Sequence, residues 1–184
     1  MDVLKKKKYK YKIKKEIYKT IDLQNQKEVI EIIKKYSPSA VIHFGSENPS
    51  YINRKKKSFF FKKNCKISKN LIDCINILNP KIHFIFANSS NIFLRKKKFR
   101  YKESDAFYSY DDYSKFRLET YKYLKKLGLK NNFRYTNLIL FNHDSVLRNE
   151  KFLLPRIVKE MKKKNQNFLN YIYKENIIED FSHA

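Results

Sequence analysis

Glycine is nearly missing from this chain, with two in 184 residues, Gly45 and Gly128. A Gly-x-x-Gly-x-x-Gly turn, in which the backbone can close around a phosphate, therefore exists nowhere in it. Cysteine is equally scarce. Cys65 and Cys74 are too few for a disulfide framework and lack the spacing of a zinc site, so they read as small core residues in a reducing cytosol and no metal is expected. Tryptophan is absent, and acidic residues are outnumbered, 18 Asp plus Glu against 42 Lys plus Arg, for a formal net charge of +24. No apolar stretch is long enough to span a bilayer, and the amino terminus carries no signal-peptide apolar region. The expectation is a cytoplasmic protein without a membrane partner.

What the chain has in excess is Lys, Asn, Ile, Phe and Tyr. All five have AT-rich codons and are raised together, including Ile and Phe, which phosphate binding cannot explain. Mutational bias is therefore favoured over nucleic-acid binding as the source of the charge. The basic runs Lys5–Lys15, Arg54–Lys57 and Arg95–Lys98 leave nucleic acid as a non-specific electrostatic alternative. A length of 184 residues suits one substantial core. No internal repeat is present.

Hydrophobic spacing orders the chain. After a basic arm over residues 1–20, Val29, Ile32 and Ile33 share a helical face that ends before Pro38. Ala40–Phe44 reads as a buried strand, Gly45 to Asn48 as a loop, Lys66–Leu78 as a helix and Ile82–Ala87 as a second strand. Asn88, Ser89, Ser90 and Asn91 form a polar turn, and Leu94–Tyr108 a loop. Asp112–Lys126 is a helix terminated near Gly128. Leu138–Phe141 is a third buried strand, running into the polar cluster Asn142, His143, Asp144, Ser145 and Arg148. A helix at Leu154–Lys164 and a short apolar stretch at Tyr171–Tyr173 follow. Strands alternating with helices predict an α/β chain with a parallel sheet covered on both faces. Each polar cluster follows the carboxyl end of a strand, where open α/β sheets place ligands.

Several of these segments are familiar in order and spacing. Leu138–Ser145 (LILFNHDS), Pro38–Gly45, Ala87–Phe93 (ANSSNIF) and Glu179–Ala184 (EDFSHA) resemble successive motifs of the GDP-mannose 4,6-dehydratases, extended short-chain dehydrogenase/reductases. From Ser89 to Ile157 the segments align without a gap. The resemblance implies a Rossmann-like sheet lacking the N-terminal Gly-rich unit, residues 21–150 forming a partial NADP-binding domain and 151–184 the start of a sugar-nucleotide lobe. Loss of the first strand, which normally lies at the centre of the sheet, would expose apolar surface on its neighbours.

The resemblance also implies roles. Asp22, Leu23, Phe44, Gly45, Phe59, His143 and Arg148 fall on NADP-contacting positions, and Asn142, Asp144 and Arg156 on the nucleotide-sugar side. Tyr113 falls on the catalytic Tyr, Arg117 on the Lys of Tyr-x-x-x-Lys, Ser89 on a Thr and Asn91 on a Glu. In that family NADP oxidises the sugar C4 hydroxyl, a base removes the C5 proton, water leaves C6, and hydride returns to C6. A neutral amide at Asn91 cannot serve as that base. Glu103 and Asp105 are the nearby carboxylates. The implied substrate is GDP-mannose, with elimination severely impaired. A non-catalytic remnant or half of a split enzyme is the alternative, and a homo-oligomer or a complementing polypeptide is among the partners this reading admits.

Overall fold

The structure, a computed structural model, describes residues 19–46, 57–93, 100–150, 152–175 and 181–183. The basic arm, most of Arg54–Lys57, the Arg95–Lys98 run and the loop beyond Ser46 lie outside them. The chain forms two compact units, Met1–Leu138 and Ile139–Ala184. Among the described residues no helix is long and apolar enough to cross a membrane, and no group of His, Cys, Asp or Glu is placed to hold a metal ion.

In the first unit, α1 spans Gln26–Tyr36. Asn25 caps it by accepting from Lys27 N, Lys34 and Lys35 oppose the dipole at its end, and Ser37 closes it in the left-handed region at φ 41°. Strand β1, Ala40–His43, pairs in parallel with β2, His83–Ser89, in the register Ile42 to Ile85 and His43 to Phe86. Strand β3, Tyr135–Leu140, completes a three-stranded parallel sheet in the order β1-β2-β3. Two long helices make the crossovers, α2 over Lys57–Leu78 and α3 over Asp112–Asn131.

The core lies against one face of β2. Phe84 and Phe86 are buried with Val29 and Ile33 of α1, Ile72 and Ile75 of α2, and Phe116 and Leu124 of α3. Each such side chain contributes about 1.5–3 kcal/mol by leaving water, so this layer fixes where the strands end. Side chains alternate along a strand, and the opposite face carries Ile42, 57% exposed, and the half-buried Ile85. The second helical layer expected there is not among the described residues of this unit. β1 is accordingly an edge strand with only His43 buried, not the buried strand its apolar run suggested.

Helix α3 passes straight through Gly128 and ends at Asn131, with Asn132 as the left-handed cap. Gly128 is needed for a different reason: a Cβ there would lie 2.7 Å from Cε1 of Tyr135, at the start of β3. Its small size permits close packing of helix on strand; it does not terminate the helix. Two other boundaries differ from expectation. α2 begins nine residues before Lys66, and β2 runs on through Ser89 into a 3-10 turn at Ser90–Ile92.

The second unit holds β4 (Asn142–Asp144), α4 (Leu153–Lys162), α5 (Gln166–Lys174) and β5 (Phe181–His183). Asn142–Asp144, expected as loop, is a strand because β5 pairs with it in parallel, His143 opposite Ser182. Tyr171–Tyr173, expected as a short apolar stretch, belongs to α5, which Asn165 caps by accepting from Phe168 N. Leu138 and Phe141 are partly exposed, so the buried third strand is not observed, and Phe141 lies outside it.

Candidate active site

The carboxyl ends of β1 and β2 meet the first turns of α3, and Arg117 joins them. Asp111 and Ser114 form a reciprocal capping box at the start of α3, which sets the rotation of the helix and places Tyr113 and Arg117 one turn apart on the side facing β2. The Arg117 side chain is only 7% exposed. One terminal nitrogen, Nη1, donates to the Ala87 carbonyl on β2. The other, Nη2, donates to Ser46 Oγ at 3.0 Å and to Tyr113 Oη at 3.1 Å. The guanidinium also lies 4.9–5.4 Å from the ring centres of Tyr113, Phe116 and Phe86, where ring faces attract a cation. Its Nε is buried and has no hydrogen-bond partner among the described residues.

His43 borders this cation from β1. It stacks on Phe86 with centroids 5.9 Å apart, and its Nε2 pairs with Ser68 Oγ at 2.8 Å. Burial, and secondarily the Arg117 charge, lower its pKa from the usual 6.5 to about 4. Folding therefore favours neutral His43, while the unfolded chain protonates below about 6.5. Stability contributed by the neutral ring is complete above that pH and falls as pH drops towards 4. Between pH 7 and 4.5 the loss is expected to be about 2–3 kcal/mol in urea unfolding. His43→Asn should remove that share of the acid sensitivity, and an unchanged acid limb in the variant would refute the assignment.

Ser89 caps the 3-10 turn, its Oγ accepting from Asn91 N at 3.3 Å. That turn packs against α3. Asn88, buried at the end of β2, donates to Asn137 Oδ1 at 2.8 Å and accepts from Ser89 N. Beyond the turn, Phe93 stacks on Tyr101 and meets Phe107, which in turn packs edge-on against Tyr121 of α3. These rings fasten the described part of the following loop, from Tyr101 to Phe107, to the turn and to α3. Asp105 in that loop is held in a local turn, accepting from Lys102 N at 2.9 Å.

The expected cofactor-side residues behave unevenly. Leu23 lies where a Cβ on Gly45 would be 3.3 Å from its Cδ1, so Leu23, Gly45, Ser46, Arg117 and Tyr113 form one connected edge. Asp22 instead serves local capping, accepting from Gln24 N and donating its own N–H to Glu28. Phe44 and Phe59 are 63% and 62% exposed. Ser46, His43 and Ser68 were not singled out from sequence. A lone histidine ending an apolar strand was the available signal.

In the second unit, His143 Nδ1 donates to Phe141 O at 3.2 Å. Asp144 accepts from Ser145 N. The Arg148 guanidinium lies 3.5 Å above the Phe152 ring centre with its Nε buried and unpartnered among the described residues. Arg156 is exposed and lies 4.8 Å from the Phe168 ring centre. A cleft of about 890 Å³ is lined by Asp144, Ser145, Arg148, Leu154, Lys159 and Lys163. Lys159 is paired with Glu150, so the cleft is basic overall but carries acceptors of its own.

The profile of the GDP-mannose 4,6 dehydratase family matches residues 1–184. The chain belongs to that family. No curated protein matches this family member. Among solved structures it is similar to a dTDP-glucose 4,6-dehydratase from Bacillus anthracis in complex with NAD, with TM-score 0.66, 14% identity, and 78% of this chain against 43% of that one. It is also similar to a UDP-glucose 4-epimerase from Brucella ovis in complex with NAD, with TM-score 0.61, 22% identity, 66% and 37%. A third is a GDP-6-OMe-4-keto-L-xylo-heptose reductase from C. jejuni, with TM-score 0.60, 20% identity, 70% and 38%. The family member thus spans about two fifths of the length of these solved chains. At such identities they establish the fold: a Rossmann-like α/β sheet of the nucleotide-sugar epimerase/dehydratase kind.

Proposed function

We propose that this chain binds a nicotinamide dinucleotide, NADP by the family pattern, together with a GDP-mannose-type nucleotide sugar. In this reading it keeps the proton-transfer half of the dehydratase site while lacking the eliminating base. The observation that carries the reading is the Tyr113–Arg117 hydrogen bond at 3.1 Å at the carboxyl edge of the sheet. The residues present suit such a cofactor: Leu23 and Gly45 make a close apolar wall, and the buried Nε of Arg117 leaves a donor for an incoming acceptor. When bound, the cofactor supplies hydride acceptance and return.

The rest is the work of the chain's own side chains. Acting as the phenolate, Tyr113 Oη takes the proton of a sugar hydroxyl and becomes the neutral phenol, and Arg117, donating to that oxygen, holds the negative charge it carries before the transfer. Ser89 Oγ, already accepting from Asn91, retains its proton for donation to the same sugar oxygen. Asn91 orients but cannot remove a carbon-bound proton. The second unit has a basic cleft of its own, in which Arg148 and the surrounding lysines suit a diphosphate and Asp144 forms part of the wall. A non-catalytic binding protein is the second reading, favoured by Asn91 and by the anchoring of Arg117 to Ala87.

Calorimetry of NADP on the intact chain at moderate salt, with polyphosphate as a control for charge, tests the reading. Saturable one-to-one binding at least tenfold tighter than polyphosphate is expected. Binding no tighter than polyphosphate would sink the cofactor assignment.

A further inference from the structure

The exposed faces of α2 and α3 are rich in lysine. Phe61 of α2 lies beside Lys115 of α3, Asp73 beside Tyr123, and Asn76 beside Asn131. The two helices therefore run side by side in the same direction. Lys62, Lys66 and Lys69 emerge along α2 next to that seam, and Lys115, Lys122 and Lys126 along α3, all exposed. The spacings 62-66-69 and 115-122-126 keep each row on one helix face.

The carboxylates within this face are already engaged. Asp73 receives Tyr123 Oη and Lys69, and Glu119 pairs with Lys122 at 3.3 Å. Those pairs also neutralise Lys69 and Lys122, so Lys62 and Lys66 on α2 and Lys115 and Lys126 on α3 carry the uncompensated charge of the face, on helices whose axes lie about 8–10 Å apart, the usual distance between packed helices. The longer row covers about 16 Å at 1.5 Å per residue. Codon bias raises lysine content but has no reason to align exposed lysines on one seam. Neither row includes an apolar anchor that would insert into a lipid surface.

We propose that the α2–α3 face binds the phosphate backbone of nucleic acid, independently of the nucleotide-sugar site. Two parallel lines of ammonium groups suit a linear polyanion with one charge every few ångströms. Lysines act there as point charges without base readout, so binding is insensitive to sequence.

The test is fluorescence anisotropy of a labelled single-stranded oligonucleotide titrated with the intact chain at several salt concentrations. A face variant carrying K62Q, K66Q, K115Q and K126Q is compared with a control carrying K27Q, K34Q, K35Q and K81Q, all exposed in the parent. Both lose the same charge, and circular dichroism confirms that both are folded. The face variant is expected to bind at least tenfold more weakly, with the slope of log affinity against log salt shallower by roughly 3, while the control stays within about threefold of the parent, a threshold set against the thousandfold or greater salt effect of full phosphate neutralisation. Equal losses in the two variants would overturn the proposal. So would displacement of the oligonucleotide by poly-glutamate at equal charge, which would make the face a general acceptor of acidic polymers.

Discussion

Arg117→Ala should lower unfolding free energy by about 3 kcal/mol in urea denaturation. The guanidinium is buried, and its hydrogen-bond partners among the described residues, Ala87 O, Ser46 Oγ and Tyr113 Oη, include no carboxylate. Hydrogen bonds to a charged group are worth about 1.5–3 kcal/mol each, and desolvating the cation costs several. These terms partly cancel. Truncation, however, leaves the Ala87 carbonyl unpaired at the end of β2 and opens a cavity between three aromatic rings, each of which adds a penalty. The sum is therefore destabilising. An unchanged or higher urea midpoint would mean that desolvation outweighs the contacts and that Arg117 does not brace the sheet edge.

Asn91→Glu is expected to raise formation of the dehydrated 4-keto sugar from GDP-mannose by about 10²–10⁴-fold, the usual contribution of a positioned general base. Asn91 sits in the 3-10 turn packed on α3, tied to Ser89 by a backbone hydrogen bond that its side chain does not take part in. Glutamate can therefore occupy the position without dismantling the turn. Adding Tyr113→Phe to the same variant should abolish the gain, because the phenolic oxygen that accepts the Arg117 hydrogen bond is then missing. If mass spectrometry shows no dehydrated product from Asn91→Glu, the reading of Asn91 as the missing base fails. If the gain survives Tyr113→Phe, Tyr113 is not the proton acceptor.

The readable features were those with local causes. The end of α1 before Pro38, the β2 run and the start of α3 each follow from neighbours within a few residues, and the structure keeps them. Gly128 misled because its constraint is a ring seven residues away, Tyr135, rather than its own backbone angles. β4 was invisible because three polar residues become a strand only through pairing with β5. The amino-terminal turns of α2 are rich in lysine and lack a regular apolar stripe.

The site divides in the same way. Tyr113 and Arg117 were singled out by the family resemblance, and the structure hydrogen-bonds them at 3.1 Å. Ser46 and the Ala87 carbonyl could not be, since what makes them relevant is the direction taken by one buried arginine.

The pairing of β4 with β5 bears on how the second unit holds together. Asn142 lies opposite Phe181, 39 positions further along the chain. Closing a loop of that size costs about 3 kcal/mol in chain entropy, beyond a constant term. Three residue pairs of ladder return about the same amount at roughly 1 kcal/mol per hydrogen bond. The ladder is thus close to thermodynamic balance, and α4 and α5 must hold it shut. His143 and Asp144 therefore stand on a ladder kept closed by the helices between its strands, so a change that melts α4 or α5 would be felt at these two residues without touching either of them.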